Sequence, residues 1–299
     1  MNLPTSSKPS FSVWLNAARP RTLVAAFAPV ALGSALATRQ GDFVLLIAVL
    51  CLLFAIFIQI ATNFANDYYD HLKGADTEKR VGPIRATSRG LVSPQAMRNA
   101  ALIATFLAFV SGISLLPFGN LWLLPIGLVC LLLAWGYTGG PYPLAYNGLG
   151  DVFVLIFFGW VAVGLTFFLQ TGSLTWPAVL AGTTCGLLAA NLLLVNNLRD
   201  EVTDRISEKK TLVVRWGGAW GRLQYGINGF VALVAWMGLA HLYQSPLLLA
   251  GLLLFIPFVL TWRKVVKAPD PRALAATLPP TAISLLLVSI GGSLLLIGS

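Results

Sequence analysis

The sequence predicts an all-α, polytopic membrane protein with nine transmembrane helices, and three observations carry that prediction. Of its 299 residues 57% are hydrophobic and only 10% charged, against about 25% charged in an ordinary soluble domain. Apolar stretches of near-spanning length recur along the whole chain. The few charged residues gather on one side of those stretches. A soluble globular enzyme, a disordered chain and a small disulfide scaffold are all excluded, the last because three cysteines are too few. Cys51, Cys130 and Cys185 sit inside apolar runs and read as buried small hydrophobes.

A helix needs about 20 mostly apolar residues to cross about 30 Å of hydrocarbon, and fewer when its ends are flanked by interfacial groups. Residues 1–15, with Ser6, Ser7, Pro9 and Ser10, read as a flexible cytoplasmic lead, and residues 16–299 as a single nine-helix domain. Span one runs from Leu23 to Thr38 and contains Pro29; span two from Phe43 to Ala65; span three from Ala100 to Leu116; span four, also short, from Leu121 to Trp135. Spans five to nine run from Val152 to Leu169, Pro177 to Val195, Leu223 to His241, Leu247 to Trp262 and Thr277 to Ile297. The first apolar run continues into further spans rather than ending at a cleavage site, which argues against a signal peptide.

Charge placement tests the count independently. With nine spans and a cytoplasmic N-terminus, every Lys and Arg except Arg39 falls on the cytoplasmic side, as the positive-inside rule requires. An eight- or ten-span count scatters them over both faces. Acidic residues contribute little to topology, yet all but Asp42 lie on that same side. An orientation signal alone does not gather acids, so one membrane face carries a chemically equipped cap.

Two loops hold the main signal. The first contains N63-F-A-N66-D67-Y-Y-D70-H-L-K73-G-A-D76 and then Lys79, Arg80, Arg85 and Arg89; the second reads N196-N197-L-R199-D200-E-V-T-D204-R205-I-S-E-K209-K210. They match at an offset of 130 residues (Asn66 with Asn196, Asp70 with Asp200), which suggests two related four-helix units with a ninth helix added. Residues i, i+3, i+4 and i+7 share a helix face, so Asn63, Asp67 and Asp70 form one stripe and Asn196, Asp200 and Asp204 another. Oxygen-only donors favour a hard cation, and Mg²⁺ commonly binds through one or two carboxylates plus water and substrate phosphate. A single stripe at a membrane edge reads as a solvated face; two matched stripes, each followed by bases, do not. Carboxylates at the negative end of a helix are also a local conflict that a bound cation relieves.

The bases follow from charge balance. Asp67, Asp70, Asp76, Asp200 and Asp204 carry −5; two Mg²⁺ and a diphosphate of about −3 leave the site near −4, so guanidinium and ammonium groups are needed. Lys73, Arg85, Arg199 and Lys209 are assigned to substrate among the eight nearby bases, Arg for bidentate phosphate contact and Lys as a point charge. The third cytoplasmic loop, Tyr137 to Asp151, has no base. Its glycines and prolines set a compact turn, and Tyr137, Tyr142 and Tyr146 offer either interfacial aromatics or a wall beside a cationic intermediate.

Together these segments resemble the UbiA superfamily of membrane prenyltransferases. N66-D-Y-Y-D70 with G82-P-I-R85, then Y137-T-G-G-P-Y-P and G148-L-G-D151, then N196-N-L-R-D200 with D204-R and K210-T-L-V-V-R215, are most similar to the branch that acts on 1,4-dihydroxy-2-naphthoate. In 4-hydroxybenzoate relatives an aspartate usually stands four residues after the equivalent of Asp70; here that position is Gly74 and Asp76 lies two residues further on. The resemblance covers about residues 15–299. It implies a UbiA-like bundle in the bacterial cytoplasmic (inner) membrane and a Mg²⁺-dependent enzyme. Asp67, Asp70, Asp200 and Asp204 position the metal-diphosphate, and Asn63, Asn66 and Asn196 support them.

The implied partners are a polyprenyl diphosphate, 1,4-dihydroxy-2-naphthoate and membrane lipid, with no nucleic acid. The implied reaction joins the prenyl chain to the naphthoate with loss of CO₂ and diphosphate, giving demethylmenaquinone. Asp76 or a nearby tyrosine is the candidate base, and Arg19 or Arg21 the candidate contact for the acceptor carboxylate. A phytyl donor or 4-hydroxybenzoate acceptor is the nearest alternative. A secondary transporter is distant, because transporters place polar groups at the bilayer midplane. In CDP-alcohol phosphotransferases, D-x-x-D is followed by glycine, where this chain has His71.

Overall fold

Prolines start helices and glycines end them along this chain. Pro20, Pro94, Pro177, Pro246 and Pro271 each lie in the first turn of a helix, where a missing N–H is harmless. Ser93, Ser245 and Asp270 cap three helices by accepting the N–H groups of Ala96, Leu248 and Ala273. The computed structural model describes residues 9–74, 82 and 85–299, and the described residues are helical with no strand.

Among the described residues eight helices are long and apolar enough to cross a membrane: Thr22–Gln40, Leu45–Leu72, Pro94–Ile113, Gly150–Thr171, Trp176–Arg199, Gly218–Leu242, Pro246–Lys267 and Pro271–Gly298. These are spans one to three and five to nine. The expected span four is the shorter apolar helix Leu123–Gly136, whose 14 residues reach about 21 Å at 1.5 Å per residue. A positive-φ Asn120 precedes it and Gly140, also at positive φ, follows it, so the chain turns at both ends of this short helix. Part of the segment expected as a lead is helical. Phe11–Ala18 is a helix, because Trp14 packs edge-on against Phe64 at 5.8 Å and Ala17 and Ala18 are buried. Residues 1–8 lie outside the described residues.

Span six is the most enclosed of the candidate spans and span two the least. Around span six a large core gathers spans one, five, seven, eight and nine, with Phe167, Tyr225, Trp236 and Phe255 fully buried. Span five reaches this core through a wider π-helical turn, Leu155–Val161. A Cβ on Gly159 would stand 2.5 Å from the Gly182 carbonyl oxygen of span six, so only glycine permits that approach. Two smaller clusters hold the ends of the bundle. Phe64, Ala65, Ala86, Val92 and Met97 tie the end of span two to the segment after it, and Val30, Ile47, Cys51, Leu115, Leu123 and Leu169 pack together at the opposite end. Arg39, the basic residue expected on that opposite face, bonds to the Leu296 carbonyl at 3.2 Å and stacks on Tyr243 at 4.3 Å.

Candidate active site

The first acidic stripe lies on one unbroken helix, where Asn63, Asn66, Asp67 and Asp70 are all buried. Buried carboxylates need donors, and each finds a different one. Asp67 accepts the backbone N–H of Ala86 at 3.0 Å and of Thr87 at 3.1 Å. Asp70 pairs with the buried Arg85 at 2.6 Å and accepts the Tyr146 hydroxyl at 3.0 Å. Asn63 donates to the Ala18 carbonyl at 2.8 Å and to Thr22 at 3.1 Å, and Asn66 accepts from the Thr138 hydroxyl. Asp76 lies outside the described residues.

The second stripe is not one straight helix. Span six ends at Arg199, Asp200 caps it, and a short helix, Glu201–Ile206, restarts immediately. The Asp204 N–H still bonds to the Asp200 carbonyl at 2.7 Å, so the helical register survives the break. Arg199 grips the carboxylate of its own neighbour, Asp200, through two bonds of 2.7 and 2.6 Å. Lys209 stands 3.5 Å from Asp204. Asn196 turns inward and lines a cavity.

Tyr146 joins the two halves. Its hydroxyl holds Asp70; Lys73 sits 3.9 Å and Lys209 6.0 Å from its ring centroid; and its carbonyl accepts the Lys210 N–H at 2.9 Å. Lys73 also donates to the Thr138 carbonyl at 2.6 Å. Burial lowers the Lys73 ammonium from its ordinary value and nearby Lys209 lowers it further, against the opposing pull of Asp70. Tyr137 is held up by burial and then by Asp151, Asp204 and Asp70, and so stays a neutral phenol. Tyr142 points away, with 60% of its surface exposed.

Below these groups a cavity of about 320 Å³ runs between spans one to six. Its walls are predominantly apolar, and its polar end carries Arg19, Asn63, Asn66, Tyr137 and Asn196. Asparagines from both motifs thus line one space, while the aspartates flank it. Residues 26–290 match the UbiA prenyltransferase family.

The chain belongs to the UbiA prenyltransferase family.

This prenyltransferase is 39% identical to the 1,4-dihydroxy-2-naphthoate octaprenyltransferase of Escherichia coli (strain K12), over 93% of this chain and 92% of that protein. It is 36% identical to the enzyme of the same name from Mycobacterium tuberculosis (strain ATCC 25618 / H37Rv), over 90% of this chain and 86% of that one. A UbiA homolog from Archaeoglobus fulgidus solved bound to DMAPP and Mg²⁺ shares the fold, with a TM-score of 0.62 at 17% identity over 95% of this chain and 99% of that one. The prenyltransferase is accordingly an integral membrane enzyme.

Of the residues assigned from sequence, the structure brings Asn63, Asn66, Asp70, Lys73, Arg85, Tyr137, Asn196, Asp204 and Lys209 into one connected network or around one cavity. Arg199 is committed to Asp200. Sequence reasoning offers Tyr146 only as one of three loop tyrosines, without assigning it to the site, and does not find Thr138. Within a turn of glycines and prolines, spacing does not say which of three tyrosines points inward, so no periodic signal singles out Tyr146. Among the described residues no three His, Cys, Asp or Glu side chains already converge as a metal cluster. The donor set nevertheless suits a hard divalent cation. It is oxygen-only and buried, and its carboxylates are balanced by bases that can turn to phosphate when a cation replaces them.

Proposed function

We propose that this prenyltransferase joins a polyprenyl chain, from its diphosphate, to 1,4-dihydroxy-2-naphthoate in menaquinone biosynthesis. The single observation that supports this most is the apolar cavity with asparagines of the two acidic motifs at its polar end. An isoprenoid tail fits its walls and a diphosphate fits the bases above it. Asp70, Asp200 and Asp204, with Asp67, would hold Mg²⁺, which when bound stabilises the charge building on the leaving diphosphate.

The chain's own residues do the rest. Lys73, Arg85 and Lys209 lie where departing phosphate oxygens need donors. Tyr137 and the cavity walls exclude water from the allylic carbon as its C–O bond breaks and the electron pair leaves with diphosphate. Arg19 faces the acceptor carboxylate, orienting the carboxyl-bearing ring carbon towards the allylic carbon. That ring carbon forms the new C–C bond, the carboxylate departs as CO₂, and its electron pair restores the aromatic diol, the reduced form of demethylmenaquinone. Asp76 or a tyrosine orients the acceptor hydroxyl.

The enzyme would lie in the bacterial inner membrane, with N-terminus and acidic loops cytoplasmic and the C-terminus outside. A phytyl donor is the second reading, because the 2-carboxy-1,4-naphthoquinone phytyltransferase of Synechocystis sp. (strain ATCC 27184 / PCC 6803 / Kazusa) is 28% identical over 73% of this chain and 70% of that one. Purified enzyme incubated with dihydroxynaphthoate or hydroxybenzoate, Mg²⁺ and polyprenyl or phytyl diphosphates should give decarboxylated prenyl-naphthalene masses. Product from hydroxybenzoate alone would overturn the acceptor, and preference for phytyl the donor.

A further inference from the structure

One carboxamide on the cavity wall is not accounted for by the site above. Gln59 lies four residues before Asn63 on span two, one turn and about 6 Å deeper, and both line the cavity. Beyond it the wall formed by spans one and two turns apolar, with Ala25, Ala26, Phe54 and Ala55. A carboxamide at the edge of such a wall is costly unless each of its polar atoms has a partner.

The hydroxyl of Thr22 fixes which way this carboxamide faces. It donates to the Arg19 carbonyl at 2.9 Å and accepts from Asn63 Nδ2 at 3.1 Å, so towards Gln59 it has only a lone pair to offer. Asn63 in turn uses its NH₂ on the Ala18 carbonyl at 2.8 Å and on Thr22, which leaves its Oδ1 towards Gln59. Both neighbours therefore require a donor, and Gln59 Nε2 supplies one to each at 3.4 Å. Turning the amide over would set oxygen against oxygen twice. Among the described residues nothing donates to the Gln59 carbonyl oxygen, and that oxygen is not sealed from the cavity. Leucine would fill the same wall without a polar group to satisfy, so packing does not explain a glutamine there.

The occupant has to bring a donor. An isoprenoid tail has none, and an ionised diphosphate only accepts. In 1,4-dihydroxy-2-naphthoate the hydroxyl beside the carboxylate closes an internal charge-assisted bond to it, so the hydroxyl on the far side of that ring is the free donor. We propose that Gln59 accepts a hydrogen bond from this far hydroxyl and makes the site specific for a diol acceptor. Arg19 and Gln59 share Thr22 as a support, the first through its carbonyl and the second through its amide. The contacts for the carboxylate and for the far hydroxyl are thus held in one frame. A site that hydrogen-bonds a substrate hydroxyl rejects the analogue lacking it, because its own polar group is then left unpaired.

This rests on the naphthoate-acceptor reading, and the test separates the two. Wild type, Gln59→Met, which keeps an unbranched side chain but loses the amide, and Gln59→Leu are assayed with geranyl diphosphate, Mg²⁺ and 1,4-dihydroxy-2-naphthoate, with 1-hydroxy-2-naphthoate, which lacks the far hydroxyl, as competitor. Wild-type product from the diol reports the acceptor reading by itself, and its absence would overturn both. The ratio of Ki for the competitor to KM for the diol reports Gln59. In both variants KM for the diol should rise about five- to tenfold, the size of one neutral hydrogen bond, while Ki for the competitor and KM for geranyl diphosphate stay within about threefold of wild type. A Gln59 that only supports the wall would weaken both naphthoates alike. An unchanged ratio in both variants would overturn the hydroxyl contact and leave the acceptor reading standing.

Discussion

Asp67→Asn separates two things a buried carboxylate can do. In the structure both Asp67 oxygens face backbone, taking the N–H groups of Ala86 and Thr87 at 3.0 and 3.1 Å, with the side chain almost wholly buried. An asparagine keeps one acceptor oxygen and presents an NH₂ to the other N–H, so one charge-assisted bond becomes neutral and the other becomes a donor facing a donor. Charged hydrogen bonds contribute about 1.5–3 kcal/mol each and a buried orphan donor costs about 1–3; a net loss of about 2–3 kcal/mol at this turn is expected. Since about 1.36 kcal/mol is tenfold, amide exchange at Ala86 and Thr87 should accelerate roughly 30- to 150-fold, as measured by hydrogen–deuterium exchange with mass spectrometry on the peptide around residues 82–92. Arg85, next to this turn, would lose its fixed approach to Asp70, and prenyl transfer should fall with it. Protection within about threefold of wild type would refute the anchoring role. Recovery of activity by raised Mg²⁺, with protection unchanged, would make Asp67 a metal ligand alone.

Three further outcomes rest on the same geometry. Tyr146→Phe removes the hydroxyl from Asp70 while keeping the ring between Lys73 and Lys209, so KM for the diphosphate should rise about three- to tenfold, a loss of about 1 kcal/mol; steady-state kinetics showing no change in KM or kcat would remove Tyr146 from the site. Arg199→Ala leaves the buried Asp200 without its bidentate partner; a cost of about 3–5 kcal/mol should appear as a clear drop in thermal stability of detergent-solubilised enzyme, and an unaltered melting profile counts against it. Arg19→Ala should raise KM for a carboxylated naphthalene diol while hardly affecting that for the diphosphate, and equal effects on both would reassign Arg19.

Much of this is legible in the sequence because a membrane chain has few polar residues and each has to be accounted for. Sorting charges by face locates the acidic cap, and i, i+3, i+4 spacing puts Asn63, Asp67 and Asp70 on one face, where they are buried together. The same spacing misjudges the second stripe in detail, since Asp200 caps one helix before the next begins, a break that hydrophobic periodicity does not register. Pairing between distant segments is not legible at all. Nothing in the order of residues tells that Asp67 takes the N–H groups of 86 and 87, or that Tyr146 and not Tyr142 faces inward. Those contacts depend on how the loops fold back over the helix ends.

Span two and span six carry equivalent acids in different surroundings, since few residues of the first are fully buried and most of the second are enclosed in the core. The two jaws of the site are therefore not alike. Asp200 and Asp204 extend from a helix whose position is fixed by other helices, while Asp67 and Asp70 end a helix whose outer face is solvated by acyl chains. Bilayer thickness, lateral pressure and lipid packing act on the second kind of helix far more than on the first. The gap across which a diphosphate would be held is thus coupled to the membrane mainly through one side, and lipid composition becomes a variable to control in any measurement of this enzyme's rate.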